Sequence, residues 1–152
     1  MGIKQKLVSP VLMWAIIILG IFAAFQIVPP RFVFPRNMLT PFLAIPAIGY
    51  WIYFFVGAIK VHRKAPLSAD AIDRLVVEGV YGKVRHPIYS ADIVLAWSAF
   101  FFYPDTKIFV SVLWLTLVML IWMKIEEKAL IEKFGREYEG YRLRVPKIFP
   151  KL

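Results

Sequence analysis

Three stretches without a single charged residue divide the chain: Leu7–Pro30, Asn37–Ile59 and Ile108–Met123. The first two reach the length of about 20 residues that a helix needs to cross a bilayer. The third is shorter, and is completed by snorkelling of Lys107 and Lys124, whose stems lie along the apolar layer while their ammonium groups reach water. A fourth apolar stretch, Ile88–Tyr103, carries Asp92 and ends at Pro104-Asp105. Tyr103-Pro104-Asp105 reads as a tight turn, so this stretch pairs with the next as a helical hairpin.

The expected fold is all-α: a polytopic membrane protein forming one domain over residues 1–152, with four membrane helices over about 10–28, 39–61, 88–103 and 107–124. Pro10 is tolerated in the first turn of the first helix, and Pro29-Pro30 ends it. Val28-Pro29-Pro30 lacks the small residues of a leader-cleavage site, so this segment reads as a span. Aromatic residues crowd the later half of the second helix, as in an interfacial belt, and Pro46 is placed to kink it. The polar loop from His62 to Lys83 leaves two readings open: a short surface helix starting at Ser68-Ala69-Asp70-Ala71, or a lid. Leu75–Glu78 has no helical period and reads as extended before the turn at Gly79.

Beyond the last span, Glu127, Leu130, Ile131, Phe134, Tyr138 and Tyr141 recur at three- and four-residue spacings. That pattern predicts an amphipathic helix, with Gly135 inside it or ending its first portion. Two prolines bracket Val145–Pro150, which therefore reads as an extended segment packed against something.

Composition agrees with the spans: 60% hydrophobic and 19% charged residues lie outside the range of ordinary soluble domains. The net charge of +9 is not a nucleic-acid footprint, because its distribution follows the spans. Sixteen of the nineteen Lys and Arg fall before the first span, between Lys60 and Arg85, or from Lys124 onward. By the positive-inside rule both termini and the middle loop are cytoplasmic, where their cations also meet anionic lipid headgroups. The absence of Cys excludes disulfides, thiolate nucleophiles and Cys-ligated metals. His62 and His86 are the only histidines and form no metal-binding spacing, so no metal is expected. Neither a phosphate loop nor a nucleophile elbow is present, and the oligomeric state is not legible.

The chemistry concentrates in Gly79–Tyr89 and in Glu126-Glu127. Polar, cationic and aromatic side chains at the mouth of an apolar span are expensive to hold there unless they bind something. A carboxylate suits an amino-acid ammonium, Arg85 or His86 suits a carboxylate, and aromatic faces suit a sulfonium or a purine. S-adenosylmethionine carries all of these groups, and Tyr81, Tyr89, Trp122, Tyr138 and Tyr141 are available aromatic partners. Plainer readings stand beside this one. Lys83 and Arg85 serve as topology anchors, His86 as a helix cap, and Glu126-Glu127 as surface charges paired with Lys124 or Lys133. Asp92 is harder to explain so, because a carboxylate within a membrane segment faces a cavity or a partner, for which Arg85 and Lys124 are the candidates.

The run Gly79-x-Tyr81-x-x-x-Arg85-His86-Pro87-x-Tyr89, a hydrophobic hairpin, and then Glu126-Glu127-x-x-Leu130-x-x-x-Phe134-Gly135-x-x-Tyr138-x-x-Tyr141-x-x-x-Val145-Pro146-x-x-x-Pro150 resembles the isoprenylcysteine carboxyl methyltransferase and phospholipid methyltransferase superfamily. The resemblance covers roughly the C-terminal half. It implies an integral membrane methyltransferase using S-adenosylmethionine, with Tyr81, Arg85, His86, Pro87, Tyr89, Glu126, Glu127, Tyr138 and Tyr141 around the cofactor. The acceptor it implies is lipophilic, a small molecule or lipid entering from the bilayer; His86, Glu126 and Asp92 are the candidates for moving a proton where the acceptor needs it. The chain departs from the family at Ala91, where Gly is frequent, and at Lys147, where Arg is frequent. Lys147 keeps the charge and loses the bidentate fork, which weighs against a carboxylate acceptor. Membrane sterol reductases share a similar Arg-His-x-x-Tyr element, often followed by Gly-Asp, and Asp92 matches that variant. An NADPH-dependent reductase is therefore the second expectation, and a non-enzymatic membrane protein the third.

Overall fold

A computed structural model describes residues 9–35, 39–61 and 74–151. Among them are five α-helices: α1 Pro10–Ile27, α2 Ala44–Val61, α3 Pro87–Phe102, α4 Thr106–Phe134 and α5 Arg136–Arg144. Short 3-10 turns at Thr40–Leu43 and Gly79–Gly82 lead into α2 and toward α3. By length and hydropathy three segments suffice to cross a membrane, namely Pro10–Ile27, Thr40–Val61 and Thr106–Phe134; α3 is a shorter apolar helix of 16 residues. His62 and the proposed helix start at Ser68-Ala69-Asp70-Ala71 lie outside the described residues.

The helices pack in the spatial order α2–α3–α4–α1. Exposed large apolar side chains such as Val11, Ile18, Leu19, Leu39 and Ile45 cover α1 and the start of α2. The buried groups include His86, Ser90, Ser98, Ser111 and Glu127. An apolar exterior with a few polar groups set into an otherwise apolar interior suits lipid as the solvent, where close contact and interior hydrogen bonds help to hold helices together. On α1, Gly20 allows that contact: a methyl group there would overlap the ring of Trp114 on α4, whose Nε1 donates to the Ile16 carbonyl at 3.1 Å.

The α3–α4 hairpin turns where the Tyr103-Pro104-Asp105 pattern puts it. Asp105 is the N-cap of α4, and its carboxylate accepts from the Lys107 backbone N–H at 2.8 Å. The loop after α1 is tied to this turn by an isolated antiparallel bridge between Phe32 and Asp105. Thr106 reinforces the tie, with Oγ1 donating to the Pro29 carbonyl at 2.6 Å and the backbone N–H donating to Arg31 at 2.9 Å.

At the other end α4 continues beyond Lys124, past the apolar stretch, and stops at Gly135. Gly135 has φ +53° and ψ −126°, a backbone region that residues with a Cβ avoid, so the chain changes direction there and α5 starts afresh. Gly79 is the other positive-φ glycine, at +61°, and a side chain there would also press on Val61 of α2.

Candidate active site

The sequence elements singled out above converge where α3 begins, α4 leaves its apolar stretch, and the segment after α5 doubles back. Pro87 starts α3, and its missing N–H costs nothing in the first turn. His86 stands at the N-cap position, but its ring makes no capping bond and faces the two glutamates of α4 instead.

Glu127 is the hub. Its Oε1 accepts from Arg85 Nη2 at 2.9 Å and Nε at 3.1 Å, and lies 3.2 Å from His86 Nε2. Its Oε2 is 3.1 Å from Lys147 Nζ. Burial by itself would push this carboxyl up, but the bonds from His86, Arg85 and Lys147 outweigh it and hold the group down at about 2. Arg85 spends its remaining donor on the helix end and the tail: Nη1 donates to the carbonyls of Arg142 at 2.8 Å and Val145 at 2.6 Å. Those carbonyls lie at the end of α5, where Arg144 Nε also donates to the Gly140 carbonyl at 3.2 Å.

The tail is the extended segment its prolines predict, and it packs along the start of α3. Backbone N–H groups of Arg85 and His86 donate to Pro146 at 2.9 Å and Lys147 at 3.2 Å. Ser90 Oγ donates to the Ile148 carbonyl at 2.7 Å and receives Tyr50 Oη from α2 at 2.7 Å. Tyr141 Oη ties α5 to the Tyr81 carbonyl at 2.7 Å. Burial pushes the Tyr81 and Tyr141 hydroxyls above their ordinary range, so both are neutral donors at physiological pH.

Glu126 is situated differently. Tyr89 Oη donates to its Oε1 at 2.6 Å, while His86 Nδ1 stands 3.7 Å from its Oε2, outside hydrogen-bonding range. Burial raises this carboxyl, with His86 and Tyr89 pulling the other way. A carboxylate has about four lone-pair directions; on Glu127 they are largely taken, and on Glu126 most are open. Two buried side chains near the pair also lack partners, Tyr138 Oη and Trp122 Nε1. Tyr138 is 1% exposed on α5, and Trp122 lies one turn before Glu126 on α4.

Asp92 does not join Arg85 or Lys124, the partners considered from sequence. It accepts from Trp51 Nε1 of α2 at 2.8 Å, because α3 packs against α2 on that side. Tyr50, Trp51 and Ser90 are members of this network that sequence patterns did not single out, and Lys147, noted there only as a departure from the family, joins it through Glu127. For Ser90 the available signal was a hydroxyl in an apolar helix directly after the Arg-His-Pro-x-Tyr run. Among the described residues no cluster of metal-ligating side chains occurs.

The model of the family described as phospholipid methyltransferase matches residues 42–137, well over half of the chain. Methanethiol S-methyltransferase 1 of Bradyrhizobium diazoefficiens is 37% identical over 71 residues, 47% of this chain and 24% of that protein. The methanethiol S-methyltransferase of Crocosphaera subtropica is 34% identical over 70 residues, 46% of this chain and 27% of that protein. Delta(14)-sterol reductase TM7SF2 of Mus musculus is 29% identical over 125 residues, 74% of this chain and 29% of that protein. The chain thus spans about a quarter of the length of these curated relatives. No solved structure matches it.

Proposed function

The chain belongs to the phospholipid methyltransferase family, and on that premise we propose that it transfers a methyl group from S-adenosylmethionine to an apolar acceptor within the membrane. The observation that carries this reading is the unequal state of the two glutamates. Glu127 is consumed in holding Arg85, His86 and Lys147 together, whereas Glu126, 16% exposed, takes Tyr89 on one oxygen and has the other 3.7 Å from His86 Nδ1. A carboxylate largely shielded from water favours a cationic partner, and an amino-acid ammonium is one. The donor set fits the cofactor. Glu126 takes the ammonium; the unpartnered Tyr138 hydroxyl supplies a hydrogen bond; Tyr81, Tyr89 and Tyr141 supply aromatic surface.

When bound, S-adenosylmethionine supplies a methyl group already activated by its sulfonium. The protein then has to align the acceptor, exclude water and avoid competing charge. Glu127 fixes Arg85 and His86, and through Arg85 the tail; the tail in turn closes the site along α3. His86 and Glu126 are the groups within this cluster placed to hold a proton, and Asp92 lies one turn further along α3. The apolar faces of α3 and α4 lead from the cluster toward the lipid, the route an apolar acceptor would take. We read α3 as a fourth membrane helix and the site as cytoplasmic, supported by the sixteen cations grouped on that side.

A ligand that binds the folded state raises its thermal stability in proportion to affinity. In detergent-purified protein, S-adenosylmethionine should raise the unfolding temperature and NADPH should not. The similarity to a sterol reductase over 74% of the chain makes the converse result meaningful: stabilisation by NADPH alone would replace this reading with a reductase.

A further inference from the structure

Where α4 leaves its charge-free stretch, a cleft of about 380 Å³ opens between it and the end of α5, lined by Lys124, Glu127, Lys128, Ile131, Glu132 and Arg142. Ligand sites span about 300–1,000 Å³. Lys124, Lys128 and Arg142 are exposed, and among the described residues none of these three side chains has an acidic or hydrogen-bonding partner. The two carboxylates of the cleft do not cancel them. Glu127 is already bonded to Arg85, His86 and Lys147. Glu132 is exposed and makes no ion pair among the described residues; it stands about 12 Å along the helix from Lys124, at 1.5 Å per residue. The register of α4 adds a second observation. Leu117 and Ile121, 55% and 56% exposed, precede Lys124 and Lys128 at spacings of four, three and four, so all four share one helix face. An apolar stripe within the charge-free stretch therefore runs straight into the cations. Glu126, nine residues beyond Leu117, lies half a turn round the helix, on the opposite face.

We propose that this cleft binds an anionic membrane lipid as an effector, with its phosphate among Lys124, Lys128 and Arg142 and an acyl chain along Ile121 and Leu117. Two ammonium groups and one guanidinium fork are the side chains that hold phosphate best. Three cations gathered without an acid repel one another, so a guest of net negative charge relieves them, whereas a zwitterionic headgroup brings a cation of its own. The lipid is not the methyl acceptor, because Glu126 and the cofactor placed against it lie across α4 from the cleft. Arg142 provides the link between the two sites. Its side chain lines the cleft, while its backbone carbonyl accepts from Arg85 Nη1 at 2.8 Å. A phosphate bridging Arg142 to Lys124 and Lys128 draws the end of α5 onto α4 and steadies the carbonyls that Arg85 clasps. Anionic lipid and S-adenosylmethionine then favour each other's binding reciprocally. The lipid site stands by itself; its coupling to the cofactor rests on the methyltransferase reading above.

The test titrates lipid into the full chain in dodecyl maltoside micelles and follows the unfolding temperature, which rises with occupancy. Phosphatidylglycerol should stabilise the protein. Phosphatidylcholine with the same acyl chains should not, and neither should glycerophosphoglycerol, the same headgroup without chains. Equal stabilisation by phosphatidylcholine would mean that charge is not read, and equal stabilisation by glycerophosphoglycerol would make the occupant a free phosphate; either overturns the proposal. Lys128→Gln/Arg142→Gln should weaken phosphatidylglycerol binding about ten- to thirtyfold, each cation at a charged surface being worth a factor of about five. Arg142→Gln alone changes an exposed side chain, keeps the carbonyl, and should lose about fivefold. Lys133→Gln/Arg136→Gln removes the same charge outside the cleft and should lose less than about twofold. A cleft variant within about twofold of wild type, or a control variant that loses as much, overturns the site. In wild type, phosphatidylglycerol should tighten S-adenosylmethionine binding at least about fivefold, and in the cleft variant it should not. Cofactor affinity indifferent to the lipid overturns the coupling and upholds the lipid site. Absence of cofactor binding with or without lipid overturns the methyltransferase reading, and stabilisation by phosphatidylglycerol alone still upholds the lipid site.

Discussion

Arg85 and Glu127, 42 residues apart in the chain, form an ion pair of 2.9 Å in which each side chain is only 9% exposed. One guanidinium thereby fastens three things: the end of α4's polar turn, the last carbonyls of α5, and the extended tail. Breaking such a pair by removing one partner leaves a buried charge uncompensated, which costs about 3–5 kcal/mol. Glu127→Gln is expected to lose that much unfolding free energy, measured in mixed micelles. The Arg85→Gln/Glu127→Gln double variant should lose clearly less than the sum of the two single variants. Additivity within about 0.5 kcal/mol would mean that the pair is not the unit it is taken to be.

Glu126 should behave in the opposite way. Its replacement by Gln removes the charge proposed to meet the ammonium while keeping the acceptor for Tyr89. The fold should survive, and affinity for S-adenosylmethionine should fall about ten- to a hundredfold, as for loss of a charged hydrogen bond. Calorimetric titration giving unchanged affinity in Glu126→Gln would remove this residue from the cofactor site.

Acid should expose the role of Glu127. Its carboxyl is held at about 2 in the folded protein, below the value near 4.3 of an unfolded glutamate. A lowered carboxyl contributes stability that is complete above the unfolded value and disappears as pH falls toward the folded one. The stability difference between wild type and Glu127→Gln should therefore be flat at pH 6 and above, and shrink steadily between about pH 4.5 and pH 2. A difference that shrinks near neutrality instead would mean that the bonds from Arg85, His86 and Lys147 do not hold in solution.

The tail should be separable from the helices. Deleting residues 145–152 removes Lys147 and the carbonyls that receive Arg85, His86 and Ser90. Circular dichroism should retain the helical signal, since the spans are closed by contacts among α1–α4, while stabilisation by S-adenosylmethionine should vanish. Cofactor binding that persists without the tail would show that the site is complete on α3 and α4.

How much of this was legible beforehand follows from the range of each interaction. Charge-free runs locate α1, α2 and α4, and Tyr103-Pro104-Asp105 locates the hairpin turn, because both signals are local. The spacing from Arg85-His86 to Glu126-Glu127 places both at one end of a hairpin, so their meeting is also readable. Sharing among the partners is not. That Glu127 is saturated while Glu126 stays open depends on where Lys147 arrives, and this follows from tail docking. Asp92 is the instructive case: an intramembrane carboxylate demands a partner, but the chemistry alone points to a cation, and the packing of α2 on α3 supplies Trp51. Trp122 is invisible as an unpaired donor until burial is known.

Gly135 sets the geometry of all these contacts through length. A helix advances 1.5 Å per residue, so uninterrupted growth from Gly135 would carry Tyr141 about 9 Å farther along the α4 axis, away from Tyr81 and the start of α3. No atom lies close enough to obstruct a side chain at Gly135; the backbone angle alone resists one. Alanine, the strongest helix former, would there favour a straight rod over the folded-back arm. The reach of the site's outer wall is thus governed by the two backbone angles of one residue that carries no side chain.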